Sequence, residues 1–286
     1  MRSSTSIFFQ VPIIVYPLST FMFFSLNLFL ISCVSSQGPE KTNSINTTES
    51  LIHSELGLAK QHLDRGQVNA AWENLRPLYQ KFPDHPDVLN MVGLTHLALD
   101  NQASAVKILA KAYKLKPKHS YGLNLSSAYI AIGSLQKAKK IIKKMLQSSQ
   151  TYRYRERLWH NYALVFEKQN ILNEAVKSYK KALKINPNFL LTLLRLGKIY
   201  KRLNKPRTSY RYFQKAGHLC PSCFEAINEI AVRQINIGKY AKAVKILKKF
   251  IRNKKNSEKN RADAKNLLSL ANNIRARQMA RKKKKF

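Results

Sequence analysis

The stretch LWHNYALVFEKQNILNEAVKSYKKALKINPN, residues 158–188, decides how the chain is read. Its apolar residues recur at the helical period in two runs, with a short polar break between them. The first run carries Trp159, Tyr162, Ala163 and Phe166. The second opens on a small residue, Ala175, continues through Tyr179 and Ala182, and is stopped by Pro187. The following stretch, LLRLGKIYKRLNKPRTSYRYFQKAGHLCPS at 193–222, repeats the plan with Leu196-Gly197, Tyr200, Ser209, Phe213, Ala216 and Pro221. Pro187 and Pro221 lie 34 residues apart, as do Pro83 and Pro117. Strand alternation is not convincing anywhere after residue 51. A helix pair of this kind cannot bury its apolar face alone, so copies must stack.

Working outward, the same plan recurs. The first copy has Ala59, Gly66, Ala71, Leu75 and Pro83, and the second has Gly93, Ala105, Leu109, Ala112 and Pro117. The third has Tyr129, Gly133, Ala138 and Ile142, and ends in a short insertion, QSSQTYRYRE. The sixth has Ile230-Ala231, Gly238, Ala243, Leu247 and Phe250, without the closing proline. Small residues let the paired helices approach, and large apolar ones fill the gaps between pairs. These residues resemble the tetratricopeptide repeat (TPR), which implies an all-α solenoid of about six helix-turn-helix repeats over residues 51–256. A capping helix is expected over 257–280, with Leu267, Leu268, Leu270 and Ile274 facing the sixth repeat and a polar outer side. Residues 281–286 read as a basic tail.

No catalytic constellation is present: the chain has no phosphate-cradling glycine loop, no HExxH and no nucleophile elbow. An enzyme is not expected, nor is a cofactor or metal. His62, His96 and His160 fall at helical positions and read as packing or surface residues. HLCPSC places Cys220 and Cys223 around Pro221 at the turn between repeats five and six. A local disulfide, two buried free thiols, and metal or redox chemistry are the three readings. The disulfide is favoured, although so short a loop gains only about 2 kcal/mol.

The TPR resemblance also implies a site. The first helix of each pair lines the groove in which such arrays bind peptides or helices. In the fourth and fifth copies that helix presents His160, Leu164, Lys168, Leu194, Lys198, Lys201 and Arg202. An apolar floor with clustered positive charge suits an acidic peptide or helix, or a C-terminal carboxylate. The carboxylate clamp of chaperone-binding members is not reproduced, because its Asn positions are not matched together. The competing reading is a solvated face without a specific ligand. Lys139, Lys140, Lys143, Lys144, Lys180, Lys181, Lys248 and Lys249 fall on second helices, where they read as solvating the outer surface.

Charge narrows the partners. The chain of 286 residues holds 51 Lys+Arg against 15 Asp+Glu, a net charge of +36. The excess is uneven: residues 33–118 hold 10 and 8, and residues 119–286 hold 40 and 7. A compositional bias toward lysine predicts a more even split, so a functional basic surface stays open. Anionic cell-wall glycan or lipid is the alternative partner class. Nucleic acid is less favoured, although TYRYRERLW and SYRYF interleave aromatics with arginine.

The N-terminus sets the compartment. No charge occurs from Ile7 to Val34, and Arg2 is the only charge before Glu40. A run of that length enters a bilayer, and residues 1–32 read as a signal peptide. Leu30-Ile31-Ser32-Cys33 resembles the bacterial lipobox. That resemblance implies cleavage before Cys33, its lipidation, and attachment by several acyl chains. An uncleaved signal anchor in the inner membrane, an ordinary cleaved signal and a eukaryotic secretory signal (Asn46–Thr48 is a formal glycosylation sequon) are the alternatives. Residues 33–50 read as a lipidated N-terminus followed by a flexible tether.

Signal, lipobox and six repeats together resemble the pilotin-type outer-membrane TPR lipoproteins of type IV pilus assembly. The resemblance implies a membrane-anchored, non-enzymatic scaffold facing the periplasm that helps a secretin ring assemble, with a secretin subunit as its protein partner.

Overall fold

The computed structural model describes residues 41–148 and 153–283. The described residues are helical throughout, without a strand, and the fold class is the TPR-type helical-repeat solenoid. Two compact units divide the chain at Met145/Leu146. The first contains α1 (Lys41–Asp64), α2 (Val68–Lys81), α3 (Pro86–Ala98), α4 (Gln102–Leu115), α5 (His119–Ala131) and most of α6 (Leu135–Ser148). The second contains α7 (Arg155–Lys168), α8 (Leu172–Ile185), α9 (Leu190–Arg202), α10 (Pro206–Leu219), α11 (Phe224–Asn236), α12 (Tyr240–Arg252) and α13 (Glu258–Lys283).

Two devices make each pair. The first is the turn. The second residue after the first helix adopts a left-handed backbone in every pair: Gly66, Asp100, Gly133, Asn170, Asn204 and Gly238, with φ from 53° to 77°. Gly, Asn and Asp are the residues that tolerate this conformation. In five of the six turns the next amide then reaches back five residues to close the helix end, as in Ile171 N–H to Phe166 O at 2.9 Å and Lys205 N–H to Tyr200 O at 2.8 Å.

The second device is the small residue early in each second helix. Ala71, Ala105, Ala138, Ala175, Ser209 and Ala243 are all buried. Ser209 also donates its hydroxyl to the Gly197 carbonyl at 2.8 Å, which ties α10 directly to the backbone of α9. Large side chains then close the gaps. Ala59, Leu63, Leu75 and Val88 pack in the first unit, and Ala163, Tyr179, Leu196 and Ile199 pack in the second.

The ends differ from the sequence reading. α1 begins at Lys41, so the helix takes in ten residues assigned above to the tether. Ser, Thr and Asn hide it, because they are weak helix formers and carry no apolar period. At the other end α13 continues to Lys283 and takes in part of the expected basic tail. Its packed stripe is Ala264, Leu267, Leu268, Ala271 and Ile274. Leu270 does not join that stripe and is 51% exposed, since it lies about a quarter turn around the helix from the stripe's centre.

Candidate functional site

The first-helix face of the second unit is built by α7, α9 and α11. Polar groups cross from each of these helices to the next. Lys198 on α9 pairs with Glu225 on α11 at 3.0 Å, and Lys201 donates to both oxygens of Glu229 at 2.7 and 2.9 Å. On the other side, Arg195 reaches Glu167 of α7 at 3.3 Å, and Arg202 donates to Asn170 Oδ1 at 2.7 Å. Tyr179 of α8 donates its hydroxyl to the second Glu167 oxygen at 2.6 Å. Burial and the Glu167 carboxylate raise the Tyr179 hydroxyl well above its ordinary range.

This arrangement corrects the expected site residue by residue. His160 is buried, not groove-lining: its Nδ1 lies 2.8 Å from Thr192 Oγ1, and its ring packs on Tyr179 and Phe189. Burial, with the Arg195 charge adding to it, holds the imidazole down at about 3, so it is a neutral packing group near neutral pH. Leu164 and Leu194 are partly buried in apolar clusters and supply some floor. Lys198, Lys201 and Arg202 are engaged as just described. Lys168 is exposed and, of the expected cations, alone lacks a partner among the described residues. Three of the four expected cations on the face are therefore paired from within.

The residues that sequence reasoning missed are the acids: Glu167, Glu225 and Glu229. A weak signal existed. Arg195 follows Glu167 by 28 residues, and Glu229 follows Lys201 by 28. That spacing joins consecutive first helices in a 34-residue repeat.

The first unit uses the same device. Asp87 on α3 accepts from Lys118 Nζ, just before α5, at 3.0 and 3.2 Å and from the Tyr121 hydroxyl. Burial works to raise the Asp87 carboxyl, but the hydrogen bonds from Tyr121 and Lys118 and the Lys118 charge outweigh it and lower it. Asn124 donates to Asn90 Oδ1 at 2.9 Å one helix pair away.

Cys220 and Cys223 are free thiols in the structure, partly buried and not joined in the favoured disulfide. Cys220 follows α10 and Cys223 precedes α11; across the Pro221 turn the Cys223 N–H donates to the Cys220 carbonyl at 3.0 Å, and Cys220 Sγ lies 3.5 Å from Ser222 Oγ. Burial, then the hydrogen bond and charge of Cys220, push Cys223 up to about 12. Burial also works upward on Cys220, but hydrogen bonds from Cys223 and Ser222 outweigh it, and the net shift is downward. Among the described residues no His, Cys, Asp and Glu group has a metal-binding arrangement. No helix among them is long and apolar enough to cross a membrane. The apolar run, with Leu30, Ile31, Ser32 and Cys33, lies outside the described residues.

Paired helices, left-handed turns and small crossing residues define a TPR-type array, a protein-interaction scaffold. Family models agree: residues 163–204 match a TPR repeat model, and residues 86–119 match a tetratricopeptide repeat model. No curated protein sequence matches the chain. Among solved structures, the PilF protein of Pseudomonas aeruginosa is similar at 15% identity and a TM-score of 0.58, covering 74% of this chain and 95% of its own. PilW, described as a widely conserved type IV pilus biogenesis factor, is similar at 14% identity and a TM-score of 0.60, covering 73% and 96%. Yeast Tom70 reaches a TM-score of 0.62 at 14% identity, covering 78% of this chain and 47% of its own. At such identities the likeness is one of fold.

Proposed function

We propose that the chain is a membrane-anchored TPR scaffold that works in assembly of the bacterial envelope, with type IV pilus secretin assembly as its setting. The observation that carries the reading is one of extent. Alignment takes in 95% of PilF and 96% of PilW, so nearly the whole of each has a counterpart here. The apolar run ending in Leu30-Ile31-Ser32-Cys33 supports attachment to a membrane, through lipid on Cys33 at the outer membrane, facing the periplasm. The scaffold's part is binding. The first-helix face offers an apolar floor at Leu164 and Leu194 within a charge ladder. Such a face suits a partner helix of mixed charge better than a purely acidic peptide, because most of its expected cations are already paired.

The test is genetic and biochemical. Deletion of the gene in its native host is expected to reduce heat-stable secretin multimers in the outer membrane, and the wild-type chain is expected to restore them. Unchanged secretin multimers in the deletion strain would remove the pilus setting.

A further inference from the structure

The second helices of the C-terminal unit carry a feature that the first-helix face does not use. Three stripes of exposed basic residues, eight Lys or Arg and one His, repeat in register at 34-residue intervals on α8, α10 and α12. One row is Lys177, Arg211 and Lys245. The next is Lys181, Lys215 and Lys249. The third is Lys184, His218 and Arg252. All nine positions are exposed. On each helix the three lie at i, i+4 and i+7, which is one straight stripe. The packing stripe sits two residues earlier, about half a turn around: Ala175, Tyr179 and Ala182 on α8, and Ala243, Leu247 and Phe250 on α12. The cations therefore face directly away from the core.

Counter-charge is scarce on this face. α10 and α12 contain no acidic residue, and α8 contains one, Glu174, which pairs with Lys177 at 2.6 Å. The acids Glu167, Glu225 and Glu229 stand on first helices and are engaged there. A uniform lysine bias would load both faces alike. Here the first helices α7, α9 and α11 carry eight Lys and Arg against four Glu, and the second helices α8, α10 and α12 carry twelve against one.

We propose that this grid is a docking surface for anionic phospholipid headgroups, and that it lays the outer face of the C-terminal unit on a bilayer. Three observations select lipid over other anions. Six of the nine positions are lysine, a hydrated point charge, whereas protein interfaces favour aromatics and arginine and are depleted in lysine. The stripes spread over three helices as a field, not along a single track that a nucleic-acid strand would follow. The chain also carries an uncharged run from Ile7 to Val34 that gives it a bilayer as its nearest anionic surface. On this last point the inference rests on the membrane attachment proposed above.

The test uses the full chain and vesicles of phosphatidylcholine alone or mixed with phosphatidylglycerol. Binding to neutral vesicles reports the N-terminal segment. The increment on anionic vesicles reports the grid. It is expected to be about a hundredfold, to vanish at high salt, and to be lost in the triple variant Lys181→Glu, Lys215→Glu, Lys249→Glu, since each basic residue near an anionic surface contributes about fivefold. Lysine acylation read by mass spectrometry is expected to slow at Lys177, Lys184 and Lys245 on anionic vesicles, and not at Lys60 or Lys107 of the first unit. Loss of neutral binding with the anionic increment kept would remove the anchor and leave the grid standing. Equal binding to both vesicles, with unchanged acylation, overturns the proposal. Stronger protection of the same lysines by duplex DNA or by a polyglutamate peptide than by anionic vesicles overturns it too.

Discussion

Lys201 of α9 holds both carboxylate oxygens of Glu229 of α11, at 2.7 and 2.9 Å. With Lys198 and Glu225 at 3.0 Å, this pair gives internal partners to lysines that read as free cations in the sequence. The consequence is measurable. The double variant Glu225→Gln, Glu229→Gln is expected to raise affinity for an acidic peptide at least about tenfold, because two lysines lose their internal partners. Stability changes by no more than about 1 kcal/mol, since both pairs are substantially exposed. Fluorescence anisotropy with a labelled peptide checks the first expectation, and thermal unfolding checks the second. Affinity equal to wild type would show that the ladder does not govern the face.

Gly197 sets the approach of α9 to α10. A Cβ there would meet three atoms of the Phe213 ring at 2.8 to 2.9 Å. That ring is buried and has no room to turn aside. Gly197→Ala is expected to cost about 1–3 kcal/mol despite the better helix propensity of alanine. The unfolding midpoint falls by about 2–4 °C per kcal/mol. Adding Phe213→Leu, which makes space, should recover part of the loss.

How much of this was legible without coordinates follows from where each signal resides. The 34-residue period, the small residues Ala175, Ser209 and Ala243, and the prolines at 187 and 221 are local patterns, and a linear reading recovers them. The charge ladder is not local. Lys198 reads as a free cation until the backbone places Glu225, 27 residues on, beside it. His160 fails for a related reason: its sequence position gives the helix face, but the Thr192, Tyr179 and Phe189 that enclose it come from other segments. In α13, alanines at 264 and 271 build the packed stripe, and exposed Leu270 is the more conspicuous residue in the sequence.

Buried His160 makes stability depend on pH. Its folded value of about 3 lies below the ordinary 6.5. Between those values the unfolded chain takes up a proton that the folded chain does not, so stability present above pH 6.5 is lost as pH falls. The slope from this one group approaches about 1.4 kcal/mol per pH unit. His160→Gln, which can keep a hydrogen bond to Thr192 but does not titrate, is expected to flatten the curve across that window. Denaturant midpoints of both proteins from pH 7 downward make the comparison.

The two thiols differ in environment. Hydrogen bonds from Cys223 and Ser222 lower Cys220, whereas burial and Cys220 itself push Cys223 up to about 12. Limiting iodoacetamide near neutral pH is expected to label Cys220 first, because the thiolate is the nucleophile. Peptide mass spectrometry reads the ratio. In Cys220→Ser the rate at Cys223 should rise, as the neighbouring thiolate is removed. Preferential labelling of Cys223 in the wild type would contradict this ordering.

Cys33 is where we propose that the TPR scaffold is tied to a membrane, and the mature protein's mass and location test that tie. The full chain and its Cys33→Ala variant are expressed in a diderm bacterial host, the membranes are fractionated, and the intact mass of each mature protein is taken. The account predicts that the wild type begins at Cys33, carries acyl mass and sediments with the outer membrane, and that the variant loses both processing and placement. An unprocessed, unlipidated N-terminus in both proteins would contradict it, and the pilotin-type reading would fall with it.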